Sequence, residues 1–181
     1  MLEALHEALT AARVRYVIIG GIAASIHGEA RTTRDADVVV VLREAQVAPL
    51  LRKFRAFGFS FDLEKARRQL KSGAAVKLLF PNRLSVDLRI AEYGIDEAAL
   101  ETREAAHLFG LRLFVCAPEE LVVYKLARFS PLDREDIRAI LKTQGKRLDR
   151  QRVRSLARQL ARETGDPRLL DHWDDVTHGN S

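Results

Sequence analysis

Two hydrophobic periods alternate along this chain, and the switches between them outline its elements. Residues 2–13 carry Leu2, Leu5, Leu9 and Ala12 at three-to-four spacing, which predicts an amphipathic helix lying over a sheet. Tyr16–Ile19 is a short β-branched run closed by Gly20-Gly21, so a buried strand ending at glycine is expected. A helical segment follows, and then Arg31-x-Thr33-x-Asp35-x-Asp37 leads into a run of valines over 38–41. Residues 43–57 predict a helix with Val47, Leu50, Leu51 and Phe54 inward, Pro49 starting it late or kinking it, and Gly58 ending it. A short basic helix is expected over 62–72. Ala75–Phe80 and Leu84–Ile90 predict a hairpin turning at Pro81-Asn82. In its second strand Leu84, Val86, Leu88 and Ile90 share one face, and Ser85, Asp87 and Arg89 share the other. A short helix over 94–103 and strands around Ala106–Phe109 and Leu111–Cys116 come next. From Pro118-Glu119-Glu120 the pattern is helical to near the end of the chain, with proline and acids in the first turn. Residues 145–165 predict a last basic helix with Val153, Leu156, Leu160 and Ala161 inward. The polar tail is expected to hold by Trp173 and fray at its end.

Strands mixed with helices up to Cys116, and helices alone beyond, define an α/β (α+β) fold class. The expected division is a core over 1–116 and a helical C-terminal subdomain over 117–181 packed on it. The chain has 181 residues, 47% hydrophobic and 30% charged, the composition of an ordinary globular protein with a full core. The single cysteine, Cys116, excludes a disulfide framework and a cysteine zinc site. With no signal peptide and no apolar stretch of roughly 18 residues, a cytoplasmic location without membrane contact is expected. A net charge of +5 suits a polyanionic partner such as RNA.

The chemistry concentrates in residues 16–41. Glycines at 20 and 21 let backbone approach a bulky anion, since no Cβ stands in the way. The helix behind them directs unpaired N–H groups and a positive dipole end at the same place, a seat for phosphate. Asp35 and Asp37, two apart at a strand start, leave the same face. Two adjacent carboxylates repel unless a cation lies between them, and the hard cation that bridges carboxylate and phosphate oxygens is Mg²⁺. A nucleoside triphosphate seat with its metal site is the expectation.

Gly20-Gly21, His27-Gly28, Arg31-x-Thr33 and Asp35-x-Asp37 resemble the signature of the DNA polymerase β-like nucleotidyltransferase superfamily. Within it the chain is similar to the small bacterial type IV toxin–antitoxin (AbiE-type, abortive-infection) nucleotidyltransferases. The resemblance implies a small mixed sheet and transfer of a nucleoside monophosphate from an NTP, with Mg²⁺ or Mn²⁺, releasing pyrophosphate. Many members carry Gly-Ser where this chain has Gly20-Gly21, so a phosphate-touching hydroxyl is missing here. Asp87 matches the third carboxylate, which accepts the proton of the attacking hydroxyl or completes a second metal position. Its plainer role is a cross-strand pair with a basic residue. Leu121-x3-Lys125-Leu126 and Asp133-x2-Asp136-Ile137 resemble the C-terminal motifs of the toxin family. There the lysine contacts the nucleotide phosphates, and the downstream Asp holds the basic group or assists catalysis; the alternative for Asp136 is a first-turn helix acid.

The expected site is therefore Asp35, Asp37 and Asp87 on the metal, with Lys125 completing the catalytic set. Gly20, Gly21, Arg31, Thr33, Lys125, Arg128 and Asp136 surround the nucleotide. Arg31 either binds phosphate or pairs with Asp37, and Thr33 holds its loop by local hydrogen bonds. Arg89 can point toward phosphate or nucleic acid, and the basic face of 62–72 can meet an acceptor phosphate or simply be solvated. The acceptor is an RNA or tRNA end or a protein hydroxyl, and a toxin would bring a cognate antitoxin. Two other functions compete: an inactive nucleic-acid-binding module on the same fold, and an enzyme modifying a small molecule such as an aminoglycoside.

Overall fold

The two β-branched runs form the middle of the sheet. In the computed structural model, which describes residues 1–178, β1 (Arg15–Ile19) and β2 (Asp35–Val41) pair antiparallel, Ile19 opposite Asp37. On its other side β2 runs parallel to β4 (Leu84–Ile90), with Asp35 beside Ser85 and Asp37 beside Asp87. β3 (Val76–Phe80) pairs antiparallel with β4 at one edge. β6 (Leu111–Val115) and β5 (Glu104–Leu108) extend the other edge, in the order β3-β4-β2-β1-β6-β5. The sheet is mixed because α3 (Glu44–Ala56), α4 (Leu63–Lys71) and β3 carry the chain back from β2 to a parallel β4.

Pleating sorts the strand residues as alternation predicted: Val86 and Leu88 are buried in the core, while Asp87 and Arg89 lie on the opposite face. The predicted stripes of α1 (Leu2–Ala12) and α3 join the strands in one hydrophobic core, with Leu5, Leu9, Leu50, Leu51 and Phe54 fully buried. Each such side chain contributes roughly 1.5–3 kcal/mol. Pro49 sits inside an unbroken α3 on its exposed side, where water can take the carbonyl that loses a helical partner. The hairpin turn takes three residues rather than two: Pro81, then Asn82 and Arg83 at φ 63° and 58°.

The remaining helices are α2 (Gly20–His27), α5 (Gly94–Glu101), α6 (Pro118–Arg128), α7 (Pro131–Gln144), α8 (Arg150–Thr164) and α9 (Arg168–His178). α6 is the hub, packing on α2, α5, α7, α8 and α9. It stops at Phe129, which is left-handed, and Ser130 caps α7 by accepting the Asp133 N–H. The polar tail is a helix, α9, seating Leu169, Trp173 and Val176 in the core. Its apolar residues keep the helical period, but the acids between them hide it. Residues 179–181, where fraying was expected, lie outside the described residues. Among the described residues no helix is long and apolar enough to cross a membrane.

Candidate active site

The sheet hands over to α2 at Gly20, which has a φ of +66°. A Cβ there would lie 1.9 Å from Oδ2 of Asp37, and one at Gly21 would lie 3.0 Å from Thr33 Oγ1 and 3.2 Å from an Arg31 guanidinium nitrogen. Glycine is thus called for at Gly20 by the Asp37 carboxylate and by backbone conformation, while at Gly21 a Cβ would be a tight contact that Thr33 and Arg31 would have to yield to. The space kept open at the start of α2 belongs to the Asp37 carboxylate and to Arg31 and Thr33.

The parallel register sets Asp37 directly beside Asp87, and Asp35 beside Ser85. These carboxylates are held differently. Asp35 accepts the Ser85 hydroxyl, which with Lys77 lowers its pKa, and its side chain is 51% exposed. Asp87 accepts from the Lys77 ammonium at 3.0 Å, and the same ammonium lies 3.4 Å from Asp35 and 3.2 Å from Ser85 Oγ. Asp37 has no side-chain hydrogen bond among the described residues. Burial, and then the charge of Asp87, push its pKa up; Arg128 and Lys125 oppose the rise.

The plain role weighed for Asp87, a cross-strand pair with a basic residue, is therefore present, since Lys77 is its partner in β3. Lys77 escaped sequence reasoning. Its signal is a lone charge inside Val76-Lys77-Leu78, on the same pleat as Asp87 in the neighbouring strand. No three of His, Cys, Asp and Glu among the described residues gather tightly enough to hold a metal ion, so the expected three-carboxylate cage is not preformed. The donor set nevertheless fits a hard divalent cation. It is all oxygen, its central carboxylate lacks a partner, and its outer two already share a positive charge.

A second charged cluster lies on the helical side. Lys125 is only 3% exposed, and its ammonium donates to Asp136 at 2.6 Å and Asp133 at 3.2 Å. Asp136 also receives both arms of the Arg31 guanidinium, at 2.8 and 2.9 Å. Asp133 receives Arg128 at 2.7 and 2.9 Å and the Ser130 hydroxyl at 2.6 Å. Burial raises the pKa of both carboxylates, but these donors outweigh it and hold both below the usual range. Arg31 thus pairs with Asp136 rather than Asp37, because the bidentate grip satisfies a buried carboxylate. Asp136 is the acceptor that joins Lys125 to Arg31. Lys125 is buried and already paired, whereas Arg128 is the outer member, its side chain 67% exposed.

The other candidates separate cleanly. Thr33 donates to the Asp35 carbonyl at 3.1 Å, the local bond expected of it. Arg89 does not reach for phosphate, because it is bound to buried Asp96, which also accepts Tyr124 Oη at 2.7 Å. On α4, Lys71 pairs with Glu44 and Arg67 with Glu64, and the rest of that face is solvated. His172 stacks flat on Phe129 and donates Nδ1–H to the Leu126 carbonyl, a packing role. Beside Arg31 and Thr33 opens a cavity of about 720 Å³, lined by Ile22, Ile26, Leu108, Phe109 and Leu111 among others.

A mixed sheet that brings three acids from two adjacent strands together opposite a glycine-started helix, closed by C-terminal helices, is a nucleotidyltransferase fold. The chain belongs to the family described as "Nucleotidyl transferase of unknown function (DUF2204)", whose model matches residues 1–169. It is a nucleotidyltransferase. No curated protein matches it by sequence. Solved structures share the fold. An antigenic nucleotidyltransferase-like protein from Paracoccidioides brasiliensis is 20% identical, with TM-score 0.52, over 97% of this chain and 94% of that one. The lincosamide antibiotic adenylyltransferase LnuA, lincomycin-bound, is 12% identical, with TM-score 0.54, over 77% and 93%. ANT(2'')-Ia in complex with adenylyl-2''-tobramycin is 15% identical, with TM-score 0.52, over 91% and 99%.

Proposed function

We propose that this protein moves a nucleoside monophosphate from an NTP to an acceptor hydroxyl and releases pyrophosphate, using Mg²⁺ or Mn²⁺ held by Asp35, Asp37 and Asp87. The observation that carries this reading is the register of β2 and β4, which sets an unpartnered Asp37 beside Asp87 and against the bare Cα of Gly20. The free N–H groups at the start of α2 favour the triphosphate. A divalent ion held by these carboxylates would neutralise carboxylate and phosphate charge. Asp87 takes the proton of the attacking hydroxyl. Arg128, exposed and near enough to bias Asp37, offsets charge growing on the transferring group. Lys125 acts chiefly by fixing Asp136, and through it Arg31. On this reading residues 1–116 hold nucleotide and metal, and 117–181 supply the cationic wall.

The acceptor we favour is an RNA end such as that of tRNA, or a protein hydroxyl, in the manner of a type IV toxin with its antitoxin, acting in the cytoplasm. The net charge of +5 and the exposed Arg150, Arg154, Arg158 and Arg162 along α8 support a polyanion. A second reading, a small-molecule hydroxyl, draws on the 720 Å³ apolar cavity, which is of drug-like size, and on fold neighbours that carry lincomycin or adenylyl-tobramycin. Incubation with each labelled NTP, Mg²⁺ and either total RNA, cell protein or an aminoglycoside and lincosamide panel separates them by what becomes labelled. If wild type labels none of these, or an Asp35→Ala, Asp37→Ala double variant labels as well as wild type, the reading fails.

A further inference from the structure

We propose that Lys77 is a tethered cation that occupies the carboxylate cluster in the metal-free enzyme and must be displaced before a divalent ion can bind. The inference rests on the metal-site reading above and concerns a residue that reading does not use. The ammonium lies 3.0 Å from Asp87, 3.4 Å from Asp35 and 3.2 Å from the Ser85 hydroxyl, so it straddles both outer carboxylates. Ser85 in turn donates to the same Asp35 oxygen that the lysine faces, so two donors already hold that carboxylate. This explains why three acids on adjacent strands do not form a ready cage. Each outer carboxylate is already partnered, and Asp37 has no side-chain hydrogen bond among the described residues.

The placement is that of a device that can let go. Lys77 stands on β3, the edge strand, and its side chain is 51% exposed, so its flexible stem can swing to solvent without disturbing the core. The buried lysine of the second cluster, Lys125, has no such freedom. An ammonium gives one positive charge and hydrogen bonds; a divalent ion gives two charges and direct ligation at the same oxygens. Metal and lysine therefore compete, and the lysine keeps the acid cluster from splaying when no metal is present. Because this pair is partly exposed, the competition is modest in size.

Mn²⁺ binding to the whole chain without nucleotide, followed by the electron paramagnetic resonance signal of free Mn²⁺ and by calorimetry, tests the idea apart from turnover. Lys77→Met should tighten Mn²⁺ binding about tenfold, equivalent to about 1.4 kcal/mol. Lys77→Arg, which keeps the charge, should stay near wild type, and melting curves establish that each variant is folded. Unchanged or weaker binding by Lys77→Met, while Asp37→Asn abolishes binding, would overturn the proposal and leave the metal site standing. If wild type and Lys77→Met both fail to bind Mn²⁺, the site reading fails and the proposal falls with it.

Discussion

Two charged clusters face each other in this protein, and they are built on opposite terms. On the helical side, Lys125, Arg31 and Arg128 saturate Asp133 and Asp136 with short hydrogen bonds, and the carboxylates are almost wholly buried. On the sheet side, Asp35 and Asp87 share one partly exposed lysine, Asp35 also takes a serine hydroxyl, and Asp37 has no side-chain hydrogen bond among the described residues. Burial raises the pKa of Asp37 and of Asp136 alike, but only at Asp136 do bonded cations outweigh it, so the net shifts run in opposite directions. A saturated buried network holds a shape. An under-satisfied cluster at a surface has charge left over for a ligand.

The sharpest way to break this contrast is Asp37→Asn. It should lower nucleotidyl transfer by about 10³-fold or more, in line with removal of a main transition-state stabiliser, while leaving the melting temperature level or slightly higher. The stability part follows from linkage. A carboxyl whose pKa is raised in the fold disfavours folding once it is ionised, so its neutral isostere removes a penalty. A melting temperature well below wild type would mean that Asp37 is architectural after all.

Lys125→Met should do the reverse. Two buried carboxylates lose their shared cation, so about 3–5 kcal/mol of stability is lost, read as a fall in melting temperature of about 10 °C. An unaltered melting curve would show the helical cluster to be unimportant for the fold. Gly20→Ala comes next, since its Cβ would strike Asp37 and the residue holds a left-handed φ. A loss of about 1–3 kcal/mol is expected, with turnover reduced by displacement of the carboxylate, and calorimetric melting beside an initial-rate assay checks both.

Acid sharpens the comparison with a smaller effect. Asp133 and Asp136 have depressed pKa values in the fold, so their contribution is present above the ordinary carboxylate range and fades as pH falls below about 4. Asp37 is shifted upward, so its penalty lifts as pH falls through its raised pKa. Chemical denaturation from pH 7 to 3 should therefore show wild type losing stability at the acid end, less steeply in Asp136→Asn. The smallest change is Lys65→Ala on α4, a solvated face, which should leave turnover and melting where they are.

Much of the site was legible along the chain because it is local. Gly20-Gly21, Asp35 and Asp37 belong to one strand–helix–strand passage, and Asp87 betrays itself as an acid on the outer face of an alternating strand. What was hidden depends on pairs far apart in sequence. The bond from Arg31 to Asp136 spans 105 positions, and that from Lys77 to Asp35 spans 42. No spacing rule links such residues. The helix at Arg168–His178 falls within the stretch expected to be helical, but beyond Trp173 its buried residues were not legible, because polar residues outnumber its three core contacts and burial became visible only against α6 and α8.

Periodicity and glycine chemistry by themselves determined that this chain builds a sheet with paired acids at a strand start beside a glycine-opened helix, since backbone sterics and pleating act within a few residues. The tertiary structure alone decided which cation answers which acid. That choice turns on distance and burial after the strands and helices have docked, and it made Lys125 a buried anchor and left Lys77 at the mouth of the site.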